Sequence, residues 1–181
     1  MAAKFFGGLV VAAALFVSPA LAQSPGANPS SDDIIKALKP TGKPQMRGLH
    51  ILSAQPGGGS EAAAQAPAIS LNVQFMLGSA ELTPEAKSVV KTLAAAINSD
   101  QLTGYKFQVE GHTDSTGTPD GNMVLSQARA NAVRDDLISE YNVSGDRLVA
   151  VGKGQNEPLD AANPEAAANR RVQIVNLGAS H

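Results

Sequence analysis

The run GHTDSTGTPDGNMVLSQARANAV, Gly111 to Val133, closes one periodicity and opens another. Upstream of it Tyr105, Phe107 and Val109 alternate with polar residues, the two-residue period of a strand with one buried face. Downstream, a helix is expected from about Asn122 to Tyr141, after the Gly/Pro loop Ser115 to Gly121. At about 100° per residue, Leu125, Ala128, Arg129, Ala132 and Val133 share one face of that helix. A guanidinium therefore falls where the apolar spacing predicts burial. It cannot lose its proton in a protein, so something anionic must meet it. The loop can fold back and bring Asp114 and Arg129 into one pocket above the strand end. Charge alone leaves two readings. The pair can bind each other and fasten the loop to the helix. Alternatively, Asp114 meets an ammonium while Arg129 clamps a carboxylate through two parallel hydrogen bonds, a pocket for a zwitterion such as an amino acid.

The same periodicities extend outward. Ile69, Leu71, Val73 and Phe75 alternate as a strand. Thr83 caps a helix that begins at Pro84-Glu85 and carries Ala86, Val89, Val90, Leu93, Ala94 and Ile97 on one stripe. Leu148 to Val151 reads as a short third strand before Gly152 and Gly154, and Arg171 to Leu177 as the last. The order β-α-β-α-β-β predicts an α+β, two-layer sandwich, with two main helices packed on one face of a mixed four-stranded sheet and the other face wet.

Composition narrows the function classes. The chain has 181 residues, 43% apolar and 17% charged, with a formal net charge of -2. That balance supplies no basic footprint for nucleic acid. Without cysteine, disulfides, thiolate metal sites and Cys nucleophiles are excluded. Lys4, the apolar run Phe5 to Val17 and the small-x-small end Ala20-Leu21-Ala22 read as a signal peptide over 1–22, cleaved after Ala22; an uncleaved anchor is the alternative. Residues 23–68 form an N-terminal extension with a flexible linker at 55–68 and a short helix near 32–39, whose stripe Ile34, Ile35 and Leu38 either docks on the main domain or on a partner or leaves the segment mostly unfolded. Residues 69–178 form the main domain and 179–181 a tail. The strands are too few for a closed transmembrane barrel, which needs at least about eight.

The segments HTDSTG, NMVLSQARANAV and NRRVQI, in that order and together with VQFMLGSAELTPEA, resemble the OmpA-like (OmpA/MotB C-terminal) peptidoglycan-binding domain family. The resemblance covers Ile69 to about Gly178. It implies a non-enzymatic periplasmic protein, associated with the cell wall or outer membrane, that takes no cofactor and binds peptidoglycan. It further implies that Asp114 and Arg129 hold the diaminopimelate residue of the stem peptide, and that Thr113, Asn122 and Arg170 line the same pocket. The resemblance departs at Met76, where an acidic or amide residue often follows the first-strand phenylalanine; a backbone contact could survive there. The runner-up function is an envelope scaffold whose 23–68 segment recruits a protein partner.

Other motifs are weaker. His112, Asp114 and Ser126 supply the residue types of a hydrolase triad, but no G-x-S-x-G elbow accompanies them and Ser126 falls inside a helix. His112 is expected to be a hydrogen-bonded residue near the strand end and not a metal ligand. Gly152-Lys153-Gly154 lacks a phosphate-loop pattern.

Overall fold

The computed structural model describes residues 28–40, 66–76 and 78–180. The expected signal peptide 1–22, its expected cleavage point and most of the expected linker 55–68 lie outside the described residues.

Helix α1 (Ser31–Leu38) starts in a capping box: the Asp33 N–H donates to Ser30 Oγ, and the Asp33 carboxylate accepts from the Ser30 N–H. Eight residues are too few for a stable isolated helix, so its formation depends on docking. Ile34, Ile35 and Leu38 are buried in the main core, and Asn176 Nδ2 donates to the Leu38 carbonyl at 2.8 Å. Each such side chain contributes roughly 1.5–3 kcal/mol at most.

Strand β1 (Ala68–Leu71) is followed by α2 (Pro84–Ile97), β2 (Tyr105–His112), α3 (Pro119–Ser139), β3 (Leu148–Gly154) and β4 (Val172–Ala179). The sheet order is β1-β4-β2-β3. β2 and β3 run parallel, as the crossover through α3 requires, while β4 lies antiparallel to β1 and β2. This is the mixed four-stranded α+β sandwich expected from the element order. Phe107, Val109, Val172 and Ile174 form the sheet side of the core against α2 and α3, and α1 adds a third helix to that layer.

Four features differ from the periodicities. β1 ends at Leu71, although the alternation runs to Phe75, because β4 offers no partner beyond Val172. Phe75 instead bridges Leu82 across a tight loop. β3 continues through Gly152 and Gly154 because α3 lies directly on it. A Cβ at Gly152 would sit 2.6 Å from the Gln127 backbone nitrogen, and one at Gly111 would collide with the Ser126 carbonyl oxygen. For the same reason the buried line of α3 is Asn122, Ser126, Ala130, Val133 and Leu137, rotated from the apolar face read in the sequence. Finally, the second sheet face is not uniformly wet. Val149 and Leu177 are exposed there, but Glu110, His112 and Arg171 are buried where the β3–β4 connection folds over, with Arg171 Nη2 donating to the Glu157 carbonyl.

Candidate functional site

The site forms where β2 ends. After His112 the chain leaves the sheet, and the Thr113 N–H donates to the Gly154 carbonyl at 3.0 Å. Asp114, 8% exposed, then turns the loop: its Oδ1 accepts from the Thr116 N–H at 3.0 Å, an Asx-type bond. Gly117 takes the left-handed conformation (φ 98°), and Thr118 Oγ1 caps α3 by accepting from the Gly121 N–H. Asn122, one turn into α3, has its Nδ2 within hydrogen-bond distance of the Asp114 and Thr116 carbonyls and of Gln155 Oε1. It fixes the loop from beneath.

Arg170 reaches the site from the β3–β4 connection. Its Nη1 donates to Asp114 Oδ2 at 2.7 Å. The backbone that delivers it is organised by Asn169, which is fully buried and whose Nδ2 reaches the Asp160, Asn163 and Pro164 carbonyls.

Arg129 is half-buried on α3. Its Nε donates to the Ser79 carbonyl at 3.2 Å, and its guanidinium lies over the Phe75 ring, 4.9 Å from the centroid. Among the described residues neither terminal nitrogen has a partner. The loop after β1 thus orients this arginine, a role for Phe75 and Ser79 that the charge pattern could not reveal. Met76 contributes no free backbone donor to the site, because its N–H is committed to the Glu81 carbonyl.

Asp114, Asn122 and Arg170 are therefore in direct contact, and Arg129 stands apart from Asp114. The internal Asp114–Arg129 pair, one of the two readings of the charge pattern, is not formed; Arg170 takes that partner instead. Thr113 is buried and its hydroxyl has no partner. Burial disfavours ionisation of Asp114, but Arg170 and the N–H and hydroxyl of Thr116 outweigh it and hold the carboxyl below the usual aspartate range. Burial, and then repulsion from Arg170, loosen the proton of Arg129, with Asp114 opposing. The guanidinium nonetheless stays charged. The site thus holds two guanidiniums and one carboxylate, an excess of one positive charge. Beside it lies a shallow depression of about 310 Å³, lined by Ser115, Ala162, Asn163, Pro164 and Glu165.

This constellation lies within the part of the chain that matches a family model, described as the OmpA family, over residues 74–171. The chain belongs to the OmpA family. It is 41% identical over 117 residues to outer membrane porin F of Pseudomonas aeruginosa, covering 64% of this chain and 33% of the porin. It is 34% identical over 102 residues to the peptidoglycan-associated lipoprotein of Pseudomonas putida, covering 55% of this chain and 59% of that protein. The chain therefore spans about a third of the length of the porin and under two thirds of the lipoprotein. Among solved structures, the cell wall anchor of the T6SS from Pseudomonas aeruginosa is similar with a TM-score of 0.51 and 28% identity, covering 66% of this chain and 86% of that one. The periplasmic domain of Helicobacter pylori MotB, at 20% identity and a TM-score of 0.54 over 62% of this chain and 76% of that one, shares the fold.

One sequence expectation is corrected. His112 is not hydrogen-bonded: both ring nitrogens are buried without a partner, and Glu110 Oε2 lies 3.7 Å from Nε2. Burial and then Arg171 hold its pKa below the ordinary histidine value, so the ring is neutral at neutral pH. Ser126, fully buried, donates to the Met123 carbonyl and accepts from the Gly154 N–H. Its hydroxyl ties α3 to β3, and it forms no triad with His112 and Asp114. Among the described residues no group of acidic or histidine side chains could hold a metal, and no helix is long and apolar enough to cross a membrane.

Proposed function

We propose that this domain binds peptidoglycan without catalysis, through the free amino-acid end of diaminopimelate in the stem peptide, and so holds the protein at the cell wall of the periplasm. The observation that carries the reading is Arg129: a guanidinium pinned at Nε and on one face, with its terminal nitrogens without a partner among the described residues, within electrostatic reach of a carboxylate kept ionised by its neighbours. Such a pair suits a ligand carrying one carboxylate and one ammonium. Thr113, Asn122 and Arg170 frame it. The names of two relatives, a peptidoglycan-associated lipoprotein and a cell wall anchor, support the same reading. The signal peptide read in residues 1–22 supports export.

The scaffold alternative has less support, because the apolar stripe of α1 that would meet a partner is buried in this chain's own core. A nuclear magnetic resonance titration with a diaminopimelate-containing stem peptide tests the proposal. Shifts should concentrate at Ser79, Thr113 to Gly117, Arg129 and Arg170. A spectrum that does not respond to the peptide would remove the assignment.

A further inference from the structure

We propose that Arg170 is a resident cation that occupies the ammonium position on Asp114 until a ligand displaces it, so that the domain admits α-amino carboxylates and rejects ligands offering an amine alone. The inference rests on the peptidoglycan reading above and adds a specificity-determining residue to it.

The geometry is specific. Asp114 Oδ1 is held by the Thr116 N–H, which leaves Oδ2 as the oxygen for an incoming cation, and Arg170 Nη1 already lies 2.7 Å from it. The two partners differ in freedom: the Arg170 side chain is 50% exposed and that of Asp114 11%. The arginine can swing into water with little change in solvation, whereas the carboxylate cannot follow. Arg129 is close enough to feel the repulsion of Arg170 and the attraction of Asp114, so two guanidiniums share one region with a single carboxylate.

A bare amine entering this region would meet an excess positive charge and would have to displace Arg170 without offering it a new anion. A zwitterion solves both problems. Its ammonium takes Oδ2, and its carboxylate receives the released Arg170 together with Arg129. Binding is then an exchange of ion pairs, and the ligand's carboxylate becomes a condition of entry.

The test compares two probes by nuclear magnetic resonance titration of the full chain: the tripeptide L-Ala-γ-D-Glu-meso-diaminopimelate, and the same peptide with the carboxylate of its free amino-acid end converted to the carboxamide. For the wild-type protein the free acid should bind about tenfold or more tightly than the amide. Arg170→Gln vacates Asp114 and should bind the amide about tenfold more tightly than wild type does, with no gain for the free acid. Arg170→Lys, which keeps the charge, should behave like wild type. If the amide binds Arg170→Gln no better than wild type, Arg170 is not a competitor and the inference fails. If the wild-type protein binds neither probe, the peptidoglycan reading itself fails, which is a different result.

Discussion

Phe75 lies beneath the guanidinium of Arg129, 4.9 Å from ring centroid to Cζ, although Phe75 follows β1 and Arg129 lies on α3, with α2 and β2 between them in the chain. The ring cannot bond a carboxylate, so its contribution to binding would come from holding the guanidinium in place. A partly desolvated cation–π contact is worth about 0.5–2 kcal/mol. Phe75→Leu keeps the apolar volume and should weaken stem-peptide binding by up to about tenfold while the fold survives. Equal affinities in a calorimetric titration of the two proteins would show that the stacking is incidental.

Gln127 acts as a substitute strand. Its Nε2 donates to the Ala150 carbonyl at 3.2 Å and its Oε1 accepts from the Gly152 N–H at 2.8 Å, on the edge strand β3. Arg134 Nε and Ser126 Oγ bind the same strand at Leu148 and Gly154. Unpaired edges invite association with other chains. Gln127→Ala should therefore lower unfolding stability by about 1–3 kcal/mol and promote concentration-dependent association. Urea denaturation and analytical ultracentrifugation check both parts; unchanged values would mean that water replaces the amide at no cost.

The Asp114 carboxyl titrates below its ordinary value in the folded chain. A group whose folded pKa is depressed contributes stability that is present above its unfolded pKa and lost as pH falls through the folded one. Wild type should thus exceed Asp114→Asn in stability at neutral pH, and the two should converge as the medium is acidified below about pH 4. Denaturation midpoints followed from neutral to strongly acidic pH give the answer. A gap that persists unchanged through the acid range would assign the stabilisation to something other than this charge.

The sequence made the sheet-and-helix order legible because periods of two and 3.6 residues report burial directly, as in Phe107–Val109 and Val89–Val90–Leu93. It misplaced the buried line of α3 because that line is set by Gly111 and Gly152 on the strands beneath. Close backbone approach selects Ser126 and Ala130 there in preference to large apolar residues. It identified Asp114 and Arg129 as charges needing partners. It could not say that Arg170 would satisfy Asp114, since that contact spans 56 residues and depends on the Asn169-centred loop. Arg147 was invisible for a similar reason: its guanidinium is buried under the carbonyls of Ile97, Leu102 and Tyr105, groups without a side-chain signature.

The most direct test of the central claim is co-sedimentation of the mature protein with purified cell-wall sacculi, comparing wild type with Asp114→Ala and Arg129→Ala. Removing one partner of a desolvated charge pair costs about 2–5 kcal/mol of binding, so wild type should pellet with the sacculi and both variants should remain largely in the supernatant. Pelleting of both variants at the wild-type level would contradict the account.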